Sequence, residues 1–400
     1  MSLIGGFYLV YLASCLHLLF VTQTDPRPHV MTVSESLPQA DWAQLWYAGK
    51  LLFIRSANRF GVLLTVPPSL AQTFTVNLIS PNAPFSMVWA YPPPMGLLVM
   101  PFSLIPLAPS FWIWRLFSIA AAGILLRRCG LRWPIVLAGL ASPAALQDLL
   151  GGQDGTLTGS ILTGCLLLVD ASPAWAGCLA GLLCIKPQIG IGLAAVLINR
   201  RRVMLPTCLG VAIALIILSA LIEGWQAWVF FFNIARPDEV RAAAASFSQS
   251  FPAAAITVFY LVRSLHGSVE MAWTAQSISS IASLLLIWRL WHRDRPGDPA
   301  ARMAATVCLS VLASPHGFAY DLVAFSIGMA MMFERRSGWP QLAFGLLWLF
   351  GGYTVTFMNI TQIAIMPLMA AAGTGLVWRH LGPAGPHDEF TPIPANGQGM

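Results

Sequence analysis

A few polar residues interrupt a chain that is otherwise apolar, and their types suit acid/base chemistry and phosphate binding at a membrane. Asp41 lies in DWAQLWYAGKLL, in the long segment after the first apolar stretch. A carboxylate held among aromatics beside a bilayer can take a proton from an attacking hydroxyl as a general base. It can equally cap the helix that starts there. Lys186, in GLLCIKPQIGIGL, is one of two lysines, the other being Lys50. Pro187 breaks the helix behind it. A lysine at such a break binds phosphate as a compact point charge, snorkels, or finds a structural partner. His316, in ASPHGFAYDL, suits phosphate binding or acid/base work near neutral pH, or the capping of a turn. Asp321, five residues on, can orient His316, bind sugar hydroxyls or sit at a helix N-terminus favoured by the dipole.

Two further patterns belong with these. The glycines of GGQDGTLTG (151–159) can let Gln153 and backbone N–H groups approach a ligand. The GK[ST] ending of a P-loop is absent, so this is not a nucleotide cradle. Arg115, in FWIWRLF, can meet a phosphate or an acidic loop residue, but its neighbours Trp112 and Trp114 favour an interface anchor.

The elements that must position these residues are membrane helices. The 400 residues are 57% hydrophobic and 10% charged, whereas a soluble domain carries about 25% charged residues. The chain therefore reads as an all-α polytopic membrane protein. The net charge of +6 comes from arginines in short loops, which orient membrane helices. No basic stripe with interleaved aromatics appears, so nucleic acid is not an expected partner. The seven cysteines form no CxxC or Cys/His cluster and read as small buried hydrophobes.

Apolar runs of about 20 residues mark spans. They fall near 3–21, 109–126, 133–148, 156–170, 174–185, 187–199, 203–222, 270–290, 301–315, 318–333, 339–353 and 359–378. The first lacks a basic n-region and reads as a retained helix, not a cleaved leader. With the N-terminus inside, the arginines at 127–132, 200–202, 289–302, 335–336 and 379 all fall on the inner side. Two segments then face outward, 22–108 and 223–269. Within the first, 41–53 reads as an amphipathic helix lying on the membrane. The five prolines of 91–107 make that stretch a broken helix at the outer interface. Residues 1–380 form one domain, and 381–400 read as a disordered cytoplasmic tail. There is no internal repeat of the kind transporters show.

DWAQLWYAGKLL, the YPPP helix, GGQDGTLTG, KPQIGIGLAAVLINRRR and SPHGFAYDLV follow one another across most of the chain. Together they resemble glycosyltransferase family 87, polyprenol-phosphate-sugar-dependent enzymes of the GT-C class that include mannosyltransferases. The resemblance implies a GT-C bundle of about 12 transmembrane helices, with an outer-face loop carrying juxtamembrane helices. It implies inverting transfer of a sugar, mannose first, from a polyprenyl monophosphate to a glycolipid or polysaccharide hydroxyl. It also implies that Asp41 is the catalytic base, and that Lys186–Pro187 and Ser314–Pro315–His316 sit near the donor phosphate. Lys186, His316, Gln153, Tyr91, Gln188, Asp321 and Tyr47 make up the expected substrate-binding set. No metal or cofactor is expected, as there is no DxD motif. The expected location is the bacterial inner membrane, with membrane lipids around the bundle and the active site extracytoplasmic. The chain departs from the family pattern at 59–88, which should shape the acceptor groove. Two rival readings are a transporter or lipid flippase, and a surface-polysaccharide polymerase or ligase with a pyrophosphate donor. Arg236, Arg241 and His266 would serve the latter.

Overall fold

Seventeen α-helices and no strand make up the described part of the chain. The structure is a computed structural model and describes residues 40–62, 91–200, 202–235, 237, 254–292 and 298–381, with the side chains at 40, 41 and 234 outside that description. The expected first span (3–21), the departing stretch (63–88 of it), Arg236, Arg241 and the tail beyond 381 lie outside the described residues.

Three helices are long and apolar enough to cross a membrane: α3 (Leu107–Arg128), α9 (Met204–Glu223) and α12 (Val269–Leu290). Two bent pairs raise the number to five. These are α4 (Trp133–Leu140) with α5 (Pro143–Gly151), bent by 52°, and α15 (Trp339–Phe350) with α16 (Thr354–Thr361), bent by 74°. The long helices turn apolar side chains outward, Leu116 and Ile124 on α3 and Ile278 and Ile281 on α12 among them. Such a surface is stable against lipid, where every backbone group is already bonded within the helix.

Shorter helices fill the centre. They are α6 (Gly155–Leu168), α7 (Pro173–Leu182), α13 (Pro299–Ala313) and α14 (Val323–Glu334). Every residue from Gly155 to Leu167 is buried, as expected of a helix apolar on all sides. Small residues let the backbones close up. A Cβ on Gly328 would stand 3.2 Å from the Ala304 Cα. Gly155 and Gly159 form a small-xxx-small pair against 320–324: a Cβ on Gly155 would strike the Tyr320 carbonyl oxygen, and one on Gly159 would stand 2.9 Å from the Ala324 nitrogen. Backbone, not a flexible side chain, blocks the added methyl. Gly155→Ala is therefore expected to lower stability by about 1–3 kcal/mol, read as a lower thermal midpoint in detergent. An unchanged midpoint would mean that the two segments do not pack this way.

The expected span at 187–199 contains only α8 (Leu193–Asn199). Pro187, Gly190 and Gly192 occupy its first half, which runs as turns. The stretch 91–107 is broken as its prolines require, into α2 (Pro93–Val99) and a 3₁₀ turn at Pro101–Leu104.

Helix α1 (Ala40–Arg59) corrects one expectation. It does not lie on the membrane with one face in lipid. Trp42, Leu45, Trp46, Tyr47, Leu51 and Leu52 are all buried in protein. Trp42 stacks on Trp114 at 5.0 Å and its indole N–H donates to the Ser110 hydroxyl at 3.2 Å. The Trp46 N–H donates to the Ile105 carbonyl. A Cβ on Gly49 would stand 3.1 Å from the Val99 carbonyl oxygen. The Trp/Gly stripe that reads as a lipid face is a packing face for α2 and α3.

Ion pairs gather the loops at one end of the bundle. Asp170 meets Arg200 at 3.0 Å and also Arg302. Arg335 meets Asp298 at 2.6 Å, and Arg132 meets Glu334. Arginine counting puts these loops on one side, and in the fold they touch.

Candidate active site

Helices that reach that basic end meet, at the other, in a buried charged cluster. Lys186 follows a 3₁₀ turn (Leu183–Ile185) at the end of α7. Asp154 immediately precedes α6, and Asp321 lies in the 3₁₀ turn Ala319–Leu322 before α14. The Lys186 ammonium donates to Asp154 Oδ1 at 2.6 Å and to Asp321 Oδ1 at 2.7 Å. The three side chains are 2%, 0% and 5% exposed. One cation faces two carboxylates, so the cluster carries a formal charge of −1.

Aromatic rings and an amide surround it. Tyr91 O–H donates to Gln153 Oε1 at 3.0 Å and lies 3.4 Å from Asp154 Oδ1. The rings of Tyr91 and Tyr320 stand 5.5 and 4.8 Å from the ammonium, within cation–π range. Asp321 Oδ2 accepts the Phe318 N–H at 3.0 Å, while Asp154 Oδ2 is buried with no hydrogen-bond partner among the described residues. A buried carboxylate oxygen left unpaired is costly. Tyr320 stacks on Phe318 at 5.4 Å, and the His316 ring meets Phe318 edge-on at 4.8 Å. His316 thus stands half-exposed beside the cluster, on the segment that supplies Asp321. An antiparallel bridge between Ala255 and Phe318 holds this segment to the chain before α11 (Val258–Ser264).

The cluster is recessed. Fourteen residues of α6 span about 21 Å, against about 30 Å of hydrocarbon. Side chains on α12 fix the level. Gln276 donates to the Leu312 carbonyl and Ser280 to the Ala313 carbonyl, so residues 269–275 of α12 continue past the end of α13. Seven helical residues rise about 10 Å. The helix end next to the charged groups therefore sits below the end of α12. Ionisable groups at such depth are rare and usually functional.

Sequence and structure agree unevenly on the other residues. The N–H groups of the GGQDG turn do not await a ligand. Those of Gly155 and Thr156 donate to the buried carboxylate of Asp148 at 2.6 and 2.8 Å. A helix N-terminus attracts anions, and this one is filled from within the chain. Gly152 closes α5 in the left-handed region at φ 72°, which glycine adopts without strain. Arg115, expected as an interface anchor, is turned into the protein, where the Asp148 carboxylate acts on it. It is buried, donates to the Leu149 carbonyl at the end of α5, and lies 4.3 Å over the Phe111 ring. Gln153 is buried and Gln188 half-exposed. Tyr47 is buried in α1, away from the rim of that helix. The backbone of Asp41 lies in the first turn of α1, and its side chain lies outside the described residues. Its neighbour Trp42 abuts the glycine turn: a Cβ on Gly152 would stand 2.6 Å from the Trp42 Cβ. Asp154 and Tyr320 are absent from the expected set. The signal for Asp154 is its place between glycines at the start of an apolar run, where an acidic residue needs a partner.

The family model for glycosyltransferase family 87 matches residues 89–315. The chain belongs to this family. No curated protein and no solved structure matches it. As a family 87 chain with membrane-length helices it is a membrane-embedded glycosyltransferase. The matched residues include Gln153, Asp154 and Lys186 and stop one residue short of His316. Asp41 precedes them, so family membership stands independently of the expected base. No His/Cys/Asp/Glu group among the described residues has the geometry of a metal site.

Proposed function

We propose that the protein moves a sugar, with mannose the first expectation, from a polyprenyl monophosphate to a hydroxyl of a glycolipid or polysaccharide. The finer architecture belongs to the same proposal: a GT-C bundle of about twelve spans in a bacterial inner membrane, with the recessed site facing the extracytoplasmic side. The observation that carries this reading is the recessed charged cluster in a family 87 chain. A site below the rim suits a donor whose reactive bond sits next to a lipid tail.

The acceptor oxygen attacks the anomeric carbon as the bond to the phosphate oxygen breaks on the opposite face, which inverts the centre. Asp41 takes the acceptor proton. The polyprenyl phosphate leaves with the bonding pair and needs no proton from an acid. His316 and Gln188, half-exposed at the mouth, are the proposed donors to the phosphate. Lys186 is already bonded to two carboxylates, so we assign it to holding Gln153, Asp154 and the 316–321 segment in place. Tyr91 joins that network, and Tyr47 supports it from within α1.

Purified protein in liposomes should transfer sugar from a short-chain polyprenyl monophosphate and not from the matching pyrophosphate. Mass analysis of the lipid fraction reads the product. Transfer from the pyrophosphate alone would favour a polysaccharide polymerase, and lipid movement without transfer would favour a flippase.

A further inference from the structure

One more carboxylate, Glu223, shares a wall with the cluster through Tyr91 and has no role in the chemistry above. Glu223 is the last residue of α9, is 7% exposed, and neither of its oxygens has a hydrogen-bond partner among the described residues. Buried polar groups are nearly always bonded, and a buried carboxylate more so. Two arginines are close enough to have answered it. Arg59 donates instead to the Ala220 and Leu221 carbonyls at 3.1 and 3.0 Å, closing the end of α9. Such a site for a cation at a helix C-terminus is favourable in itself. Arg55 lines the same cleft and acts on Glu223 through its charge, but it makes no hydrogen bond to either carboxylate oxygen.

The carboxylate opens into a cleft walled by Leu52, Tyr91, Pro93, Phe230 and Phe231. The free space beside it is about that of one water molecule, enough for a hydroxyl though not for a ring. The aromatic and proline residues that wall it suit contact with the C–H groups of a sugar whose hydroxyl enters. Tyr91 is the shared wall: it lines this cleft while its O–H donates to Gln153. A group seated at Glu223 therefore stands one tyrosine away from the charged cluster. Gly96 makes room for the carboxylate, since a Cβ there would stand 2.5 Å from Glu223 Oε1.

We propose that Glu223 binds substrate, its carboxylate accepting a hydrogen bond from a hydroxyl of a sugar ring, either the transferred sugar or the sugar of the acceptor. The inference deepens the transferase reading and relies on the monophosphate donor only for the kinetic arm of its test. A carboxylate discriminates among sugars because a missing or inverted hydroxyl leaves it buried and unanswered.

The test compares Glu223→Gln and Gly96→Ala with the parent protein. Glu223→Gln should raise the KM of one substrate about tenfold or more, and the thermal midpoint in detergent should hold or rise, because the buried carboxyl has no hydrogen-bond partner among the described residues to lose. A raised KM for the short-chain polyprenyl-phosphate hexose assigns the subsite to the donor sugar; a raised KM for the glycolipid assigns it to the acceptor. Gly96→Ala should raise the same constant. Unchanged KM values, or a midpoint that falls together with activity, would overturn the proposal. A second measurement does not depend on transfer. Dicyclohexylcarbodiimide should label Glu223, seen by peptide mass, and at least one of the methyl glycosides of mannose, glucose and galactose should slow that labelling. Labelling that none of them slows overturns the proposal, even where the donor reading holds. Slowed labelling in a protein that uses no monophosphate donor keeps it and sinks the donor reading alone.

Discussion

Lys186→Met is expected to unfold the protein or to leave it less stable by about 3–5 kcal/mol, with no transfer activity. The ammonium is the only cation bonded to Asp154 and Asp321 among the described residues. Removing it leaves two nearly unexposed carboxylates facing one another, and Asp154 Oδ2 already lacks a partner. Lys186→Arg should be little better. The wider planar fork must enter a space bounded by Tyr91 and Tyr320 and replace a point charge that bonds in two directions. A triple variant, Asp154→Asn with Lys186→Met and Asp321→Asn, should recover much of the stability, since no bare charge remains. Thermal unfolding and size-exclusion profiles in detergent read all three. A phosphate ligand without a structural role would behave differently: Lys186→Met would raise the donor KM and leave the midpoint alone. A wild-type midpoint in Lys186→Met would therefore remove the mutual dependence argued for the cluster.

The parts of this site that were legible in the sequence are those with a local signal. Lys186 stands out because a lysine between apolar runs must be accounted for, and Asp321 and Gln153 stand out beside their turns. Their pairing was not legible. Lys186 meets Asp154 across 32 residues and Asp321 across 135, and nothing in spacing fixes which helix ends converge. The grouping of the basic loops was legible for the opposite reason. Each basic loop carries its own sign, and the ion pairs of Asp170 and Asp298 join the loops that were grouped by it. Two patterns were ambiguous in kind. Glycine spacing admits a ligand or a neighbouring backbone, and at Gly155 and Gly159 it admits the backbone of 320–324. A stripe of Trp and Gly faces lipid or protein alike, and in α1 it faces protein. The lone carboxylate at Glu223 was visible only as an acidic residue at the end of a span. What makes it informative is that Arg59 passes it by for the carbonyls of α9.

Asp41→Asn is expected to abolish transfer, a loss of about 10²–10⁴-fold or more, in a protein that folds as the parent does. The choice of asparagine is what makes the result decisive. Asp41 lies in the first turn of a buried helix, where a cap would use the side-chain oxygen, and asparagine caps as well as aspartate. The lost charge costs the helix about 0.3–1 kcal/mol at most through its dipole. The position itself is anchored by the next residue, because Trp42 is held by Ser110 and Trp114 and rests against Gly152. Neither substitution nor loss of charge should move that anchor. A cap would thus leave activity near the parent level, while a base would lose it without any change in midpoint. If Asp41→Asn transfers sugar at the full rate, the proton must go elsewhere. Asp154 Oδ2, which has no hydrogen-bond partner among the described residues and lies beside the same glycine turn, then becomes the carboxylate to test by Asp154→Asn with Lys186 kept, where a loss of transfer at the parent midpoint assigns it the proton.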